Sequence, residues 1–204
     1  MGKLRLGVLA SGRGSNLQAI IDSCEGGEIP AVVAVVISDN AGAFALDRAR
    51  KHGIPAVHIH KPYYKSKAEY EERIVLELRE YGVELVCLAG YMLLTGEVLL
   101  GAFPNRIMNI HPALLPSFKG LHAQRQAVEY GVKVSGCTVH FVDSGMDTGP
   151  IILQAAVPVL PEDGEEELAT RILEQEHIIY PEAIGLYAGG RIRVEGRKVI
   201  MLPG

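Results

Sequence analysis

Apolar positions in the first half of the chain alternate between continuous runs and helical spacing. Leu4 to Ala10 is a compact apolar run that ends at Ser11-Gly12-Arg13-Gly14-Ser15, a strand giving way to a glycine turn. Ser15 with Gln18 three residues on predicts a capping box, and Leu17, Ile20, Ile21 and Cys24 then fall on one helical face. Gly26 and Gly27 end that helix. Ala31 to Ile37 is β-branched on nearly every residue, the pattern of a strand buried on both faces of a parallel sheet. A second helix is expected from about Gly42 to His52, closing at Gly53, followed by a short strand from Ala56 to Ile59. Ser66 with Glu69 predicts another capping box, ahead of a helix whose apolar face is Tyr70, Ile74, Leu78 and Tyr81. Glu84 to Ala89 is the fourth strand. Repeated strand–helix–strand units imply right-handed crossovers and a doubly wound parallel sheet.

The second half reads differently. Arg106 to Ile110 predicts a strand, with a proline-rich loop from Pro112 to Gly120 and a helix from Ala123 to Tyr130 behind it. Val134 to Val142 and Ile151 to Val159 flank a glycine-rich loop, as an antiparallel pair added to the sheet does. Glu165 to Tyr187 is helical by composition, with Pro181 expected to kink or divide it. Arg191 to Val194 and Lys198 to Leu202 predict an edge hairpin. No internal repeat or low-complexity tract appears, so residues 1–204 are expected to form a single α/β domain with two halves, 1–104 and 105–204, on one sheet.

Composition narrows the function. Hydrophobic residues make up 48% and charged residues 22%, a globular balance. Twenty Lys and Arg against 24 Asp and Glu leave a net charge of −4 with no basic block, which argues against nucleic acid as a main partner. No apolar run is long enough to span a membrane, and the start lacks the apolar core of a signal peptide. Cys24, Cys87 and Cys137 show no paired spacing, which fits a reducing cytoplasm and argues against a cysteine zinc site.

Three segments carry candidate chemistry. The loop Ser11 to Asn16 opens a helix and exposes backbone N–H groups at its positive end, which suits a phosphate or serves simply as a tight turn. It is neither a full dinucleotide fingerprint, since Leu17 holds the third glycine position, nor a Walker loop. Asn109 and His111, two apart at a strand end, share one side, with Ile110 turned into the core. An amide donor beside an imidazole suits a developing oxyanion, although a strand-end Asn and a surface His make the same pattern. Asp143 to Pro150 is a polar loop between two strands whose aspartates either form turns or reach His111, where one would hold the ring and favour imidazolium. Among the other histidines, His52 is expected at a helix end, His58 at a buried strand position, His60 near a cleft, His140 in a structural role, and His122 lining the pocket of His111. The scatter of His111, His122, His140 and His177 shows no zinc spacing, so no metal is expected.

The strings SGRGSNLQAII, LAGYMLL, NIHPALLPSFKGLHA, HFVDSGMDTGPIILQ and EQEHIIYPEAI, in that order, resemble the phosphoribosylglycinamide formyltransferases of purine synthesis. The N-x-H-P-x-L-L-P core with a downstream D-x-G-P is shared by folate-dependent formyl transferases and hydrolases. SGxGSN and QEHxxYP point to the glycinamide ribonucleotide branch. The resemblance implies the formyltransferase fold, a doubly wound, Rossmann-like and mostly parallel sheet extended by antiparallel strands in the C-terminal half. It implies that the formyl group of 10-formyltetrahydrofolate passes to the amine of 5-phosphoribosylglycinamide in IMP synthesis, by direct attack through a tetrahedral intermediate. Asn109, His111 and Asp147 take the catalytic positions. Gly14, Ser15, Asn16 and Leu17 meet the nucleotide phosphate, and Leu173, Glu174, Gln175 and Glu176 the glycinamide. Folate contacts fall on Lys67, on Met92, Leu93, Leu94 and Thr95, on Asn109, and on Asp143, Ser144, Gly145, Met146 and Asp147. Met92 to Thr95 departs from the commoner Met-Arg-Ile-Leu pattern.

The expected partners are small-molecule substrates alone, with no metal, nucleic acid or membrane, in a cytoplasmic monomer or homodimer. Formyl hydrolases and aminoacyl-tRNA formyltransferases share the Asn-His-Asp set but are expected to carry a further domain, for which these 204 residues leave no room. A nucleotide-binding module or dehydrogenase built on the first βαβ unit is the alternative from another class, and the incomplete glycine pattern weighs against it.

Overall fold

The computed structural model describes residues 2–203. Five strands, β1 (Leu4–Leu9), β2 (Ala31–Ser38), β3 (Ala56–His58), β4 (Leu85–Leu88) and β5 (Ile107–His111), run parallel in the order β3-β2-β1-β4-β5. β6 (Val134–Phe141) joins β5 antiparallel, and β7 (Ile151–Pro158) joins β6 the same way. The hairpin of β8 (Ile192–Glu195) and β9 (Lys198–Met201) closes that edge, touching β7 through β9. The helices are α1 (Ser15–Glu25), α2 (Phe44–Lys51), α3 (Lys67–Glu80), α4 (Glu97–Ala102), α5 (Ala123–Tyr130) and α6 (Glu165–Ala188). The sheet is thus mostly parallel with an antiparallel extension, as the sequence implies.

Strand alternation divides the core between the two faces. Leu6 and Val8 of β1 pack with Leu17, Ile20 and Ile21 of α1 and with Ile172 and Tyr180 of α6. Leu9 packs on the opposite face with Tyr70, Ile74 and Leu78 of α3. Gly7 leaves room for α3, since a Cβ there would clash with Leu78 Cδ2. Strand order reverses beside β1, which opens a crevice at the carboxyl ends of β1 and β4.

Local details correct or narrow several expectations. Ser15 and Gln18 form no capping box. Gly14 is the N-cap, at a positive φ of 69°, and no side chain caps α1. A Cβ on Gly14 would stand 2.8 Å from Ala45, so the turn there depends on glycine, and Gln18 is drawn away to Asp22 and Arg48. Pro181 does not divide α6, which runs unbroken from Glu165 to Ala188. The proline costs one backbone hydrogen bond, and burial of Ile179, Tyr180, Ala183 and Ile184 around it holds the helix together. His58 is exposed rather than buried, because β3 is the outer strand of the sheet. His122 is also exposed and faces Glu165 at 3.8 Å.

Ser66 caps α3 as predicted, while the Glu69 carboxylate takes the Lys65 N–H instead of completing the box. The short α4 lacks a local signal. Its first N–H groups are satisfied by buried Glu71 of α3, which accepts from Gly96 and Leu99.

Candidate active site

Two groups of residues lie beyond the carboxyl ends of the central parallel strands, one after β1 and one at β5. The first is built on the start of α1. Gly14, Ser15, Asn16 and Leu17 open that helix with uncapped N–H groups, and Asn16 turns its amide toward α6. Asn16 Nδ2 donates to Glu176 Oε2 at 2.8 Å, and both residues are buried. Asn16 Oδ1 has no partner. Burial pushes the Glu176 carboxyl above its ordinary value, against the opposing pull of the Asn16 bond. Leu173 and Gln175 are half-buried beside it, and Glu174 is exposed.

The second group centres on β5. Asn109 and His111 share one side of the strand while Ile110 packs into the core, as the period of two requires. His111 Nε2 lies 2.8 Å from the Phe118 carbonyl, which can only accept, so this nitrogen carries a proton. Nδ1 is left facing Asp147 Oδ2 at 3.5 Å, longer than a direct hydrogen bond. Asp147 sits at a φ of 50° and is anchored by the Gly120 N–H, which donates to Oδ2 at 2.8 Å.

His140 belongs to the same group. It stands directly opposite Asn109 in the β5–β6 register, with Nε2 3.2 Å from Asn109 Nδ2 and 3.7 Å from Asp147 Oδ1. Its Nδ1 donates to the Phe141 carbonyl at 2.8 Å, so Nε2 accepts from Asn109 and fixes which end of that amide faces His140. Burial pushes the His140 pKa down and outweighs the favourable pulls of the Phe141 carbonyl and Asp147.

The loops around these residues are tied down. Thr138 Oγ1 donates to the Ala113 carbonyl and accepts from the Leu115 N–H, which holds the chain that follows His111. Asp143 Oδ1 accepts from the Gly145 N–H and from Thr148 Oγ1 at 2.6 Å, shaping the loop that delivers Asp147. A cavity of about 260 Å³ opens beside Asn109, His140 and Asp147. Its wall holds Lys67, Leu93, Leu94, Thr95 and every residue from Asp143 to Asp147, together with Leu88, Tyr91 and Val142, which the sequence reading did not single out. Met92 does not line it. That side chain is exposed, and the Met92 backbone N–H donates to Ser11 Oγ.

The sequence model of the family described as formyl transferase matches residues 4–184. The chain belongs to the formyl transferase family. It is 43% identical to phosphoribosylglycinamide formyltransferase of Escherichia coli (strain K12) over 187 residues, 92% of this chain and 88% of that protein. It is 47% identical to trifunctional purine biosynthetic protein adenosine-3 of Drosophila pseudoobscura pseudoobscura over 193 residues, 93% of this chain and only 14% of that protein's length. Among solved structures, this formyl transferase superposes on glycinamide ribonucleotide transformylase 1 of Symbiobacterium toebii with a TM-score of 0.98 at 59% identity, covering 98% of this chain and 95% of that one. It also matches a formyltetrahydrofolate deformylase of Pseudomonas syringae pv. tomato str. DC3000, with a TM-score of 0.91 at 26% identity, covering 98% of this chain and 66% of that one.

Among the described residues of this formyl transferase, no helix is long and apolar enough to cross a membrane, and no three metal-ligating side chains cluster. His140, expected only in a structural role, joins the site through Asn109, which lies 31 residues away in the chain. The available signal was its place in a strand that pairs with the one carrying Asn109.

Proposed function

We propose that this chain transfers the formyl group of 10-formyltetrahydrofolate to the amine of 5-phosphoribosylglycinamide in purine synthesis, the activity named for its Escherichia coli relative. The observation that carries this reading is one cavity lined by Asn109 and Asp147, with buried His111 facing the Asp147 carboxylate through Nδ1 at 3.5 Å. The cavity suits a flat heterocycle with hydrogen-bonding edges, since Leu88, Leu93, Leu94, Val142 and Met146 supply apolar wall and the 143–147 loop supplies polar groups. Lys67, half-exposed at the rim, suits an acidic tail. Folate, when bound, supplies an activated formyl carbon.

The protein's part is positioning and charge. Asn109 Nδ2 has one hydrogen committed to His140 and a second available to an oxygen on which negative charge develops. His111 presents only its Nδ1 edge, because Nε2 is given to Phe118. Nδ1 faces the Asp147 carboxylate at 3.5 Å, and the pair helps carry a proton from the attacking amine toward the leaving nitrogen. The uncapped N–H groups of Gly14 to Leu17 hold the acceptor's phosphate, and Glu176 with Asn16 holds its glycinamide end. Tyr180, one helical turn beyond Glu176, donates between the Leu88 and Met108 carbonyls and so sets α6 against the strand that carries Asn109. Holding both reactants together removes much of the entropic barrier. We assign the enzyme to the cytoplasm, where its three free, buried cysteines stay reduced.

The likeness to a formyltetrahydrofolate deformylase supports a second reading, in which water takes the formyl group. An absorbance assay of folate deformylation, run with and without phosphoribosylglycinamide, separates the two. Turnover only with the acceptor is expected, and turnover without it overturns the transferase reading.

A further inference from the structure

Behind the glycine loop runs a line of hydrogen bonds that formyl transfer does not use. Arg48 of α2 donates Nε to the Arg13 carbonyl at 2.9 Å and Nη1 to Gln18 Oε1 at 3.0 Å. A guanidinium only donates, so it dictates that the oxygen end of the Gln18 amide faces it. The amide nitrogen faces the other way, toward Asp22 Oδ1 at 2.8 Å and His52 Nε2 at 3.1 Å. That nitrogen also only donates, so His52 Nε2 accepts, and the imidazole proton on Nδ1 points to Glu25 Oε1 at 3.0 Å. Arg48, Gln18, His52 and Glu25 thus form one directed line from a cation to a carboxylate, lacing α2 to α1.

The loop is pulled back onto α2 at successive peptides. The Gly12 carbonyl accepts from the Ala45 N–H at 3.1 Å, the Arg13 carbonyl accepts from Arg48, and Gly14 is pressed against Ala45. A trans peptide is planar, so drawing the Arg13 carbonyl toward Arg48 turns the Gly14 N–H in the opposite direction, away from α2. The next N–H groups, of Ser15 to Leu17, have no side-chain cap. The guanidinium is itself held in place, with its carbon 4.8 Å from the Phe44 ring centre. Its influence extends to α6, where burial and then the Arg48 charge push the His177 imidazole down, next to Glu176.

We propose that Arg48 is a positioning residue for the phosphate subsite: it holds the Arg13 carbonyl back so that the N–H groups from Gly14 to Leu17 converge outward, with Gln18 and His52 locking its orientation. This deepens the phosphoribosyl reading of the loop and rests on it. A lysine in its place offers a single point charge and cannot serve both acceptors with a fixed fork.

The test compares the full chain with its Arg48→Met, Arg48→Lys and His52→Ala variants. Arg48→Met is expected to raise KM for phosphoribosylglycinamide about ten- to hundredfold, the loss expected for a charge-assisted hydrogen bond, with kcat and the folate KM changing by less than about twofold. Arg48→Lys falls between, and His52→Ala moves the same KM by a few-fold. An unchanged acceptor KM in Arg48→Met overturns the proposal, and so does a parallel loss in every parameter, the mark of general structural damage. Calorimetric titration with ribose 5-phosphate needs no turnover. Wild-type binding that weakens at least about tenfold in Arg48→Met supports the positioning role whatever the acceptor. Ribose 5-phosphate binding without formyl transfer overturns only the functional reading, whereas no binding to the wild type overturns the phosphate subsite and this proposal with it.

Discussion

Asn16 and Glu176, 160 residues apart in the chain, meet through a 2.8 Å hydrogen bond in a buried setting. The carboxyl has one amide partner and no cation, so burial raises its pKa. A raised carboxyl contributes stability below its unfolded value of 4.5 that is lost as pH rises through the folded value. Glu176→Gln is therefore expected to raise the melting temperature near pH 8 by roughly 2–4 °C for each kcal/mol gained, with little effect near pH 4. The same variant is expected to raise KM for phosphoribosylglycinamide about tenfold or more, since a charged acceptor is lost. Melting curves at the two pH values, with acceptor kinetics, check both. A variant no more stable at pH 8 would show that Glu176 is not under strain.

Asp147 touches both histidines and is held by the Gly120 backbone rather than by either ring. Asp147→Asn keeps an oxygen for that N–H and removes only the charge. It is expected to lower kcat by about 10²–10⁴ while leaving phosphate binding intact, with His111→Ala comparable. Single-turnover rates at saturating substrates are the measurement, and near-normal turnover in either variant removes that residue from the chemistry.

His140 gives the site a sign-determined pH response. Its folded pKa lies below the unfolded value of 6.5, so the unfolded chain takes up the proton first, and stability is full above 6.5 and declines as pH falls below it. One such group contributes at most about 1.4 kcal/mol per pH unit. Protonation also places an N–H at Nε2 opposite Asn109 Nδ2, two donors face to face, and spoils the amide's orientation. Wild-type kcat is expected to fall along with stability on the acid side. His140→Asn is expected to show lower kcat throughout and a flatter stability slope between pH 6.5 and 5. Denaturant midpoints across that range decide the matter, and an unchanged slope in the variant counts against it.

What the sequence revealed was local in origin. The β-branched run through Val33, Val35 and Ile37 and the helical spacing of Leu17, Ile20 and Cys24 report burial directly, and the strand period alone puts Asn109 and His111 on one side. What stayed hidden depends on contacts across the chain. Ser15 and Gln18 match a capping box, but whether the box closes depends on Gly14 holding a left-handed turn beside Ala45, where a Cβ would not fit, and on Arg48 claiming the Gln18 amide. The short α4 owes its start to a glutamate on another helix. His140 acquires its place only through the antiparallel register with β5, which no window of neighbouring residues encodes.

Tyr180 is fully buried, with its hydroxyl 3.0 Å from both the Leu88 and the Met108 carbonyls. Burial drives its phenol pKa well up, so the hydroxyl remains a donor at any working pH. These carbonyls lie on adjacent strands, and Met108 immediately precedes Asn109, so one hydroxyl holds α6 to the strand pair that presents the amide. Tyr180→Phe keeps the ring and its packing and deletes only this bridge. The expected cost is about 0.5–1.5 kcal/mol, the net worth of one hydrogen bond, since the sheet register leaves each carbonyl a ladder donor, with a melting temperature lower by roughly 2–4 °C per kcal/mol. Because the helix also carries Glu176, the acceptor KM and kcat are expected to worsen together by a few-fold, unlike the KM-selective effect of Glu176→Gln. An unchanged melting temperature would mean that the two carbonyls do not depend on Tyr180, and unchanged kinetics in a destabilised variant would confine its part to stability.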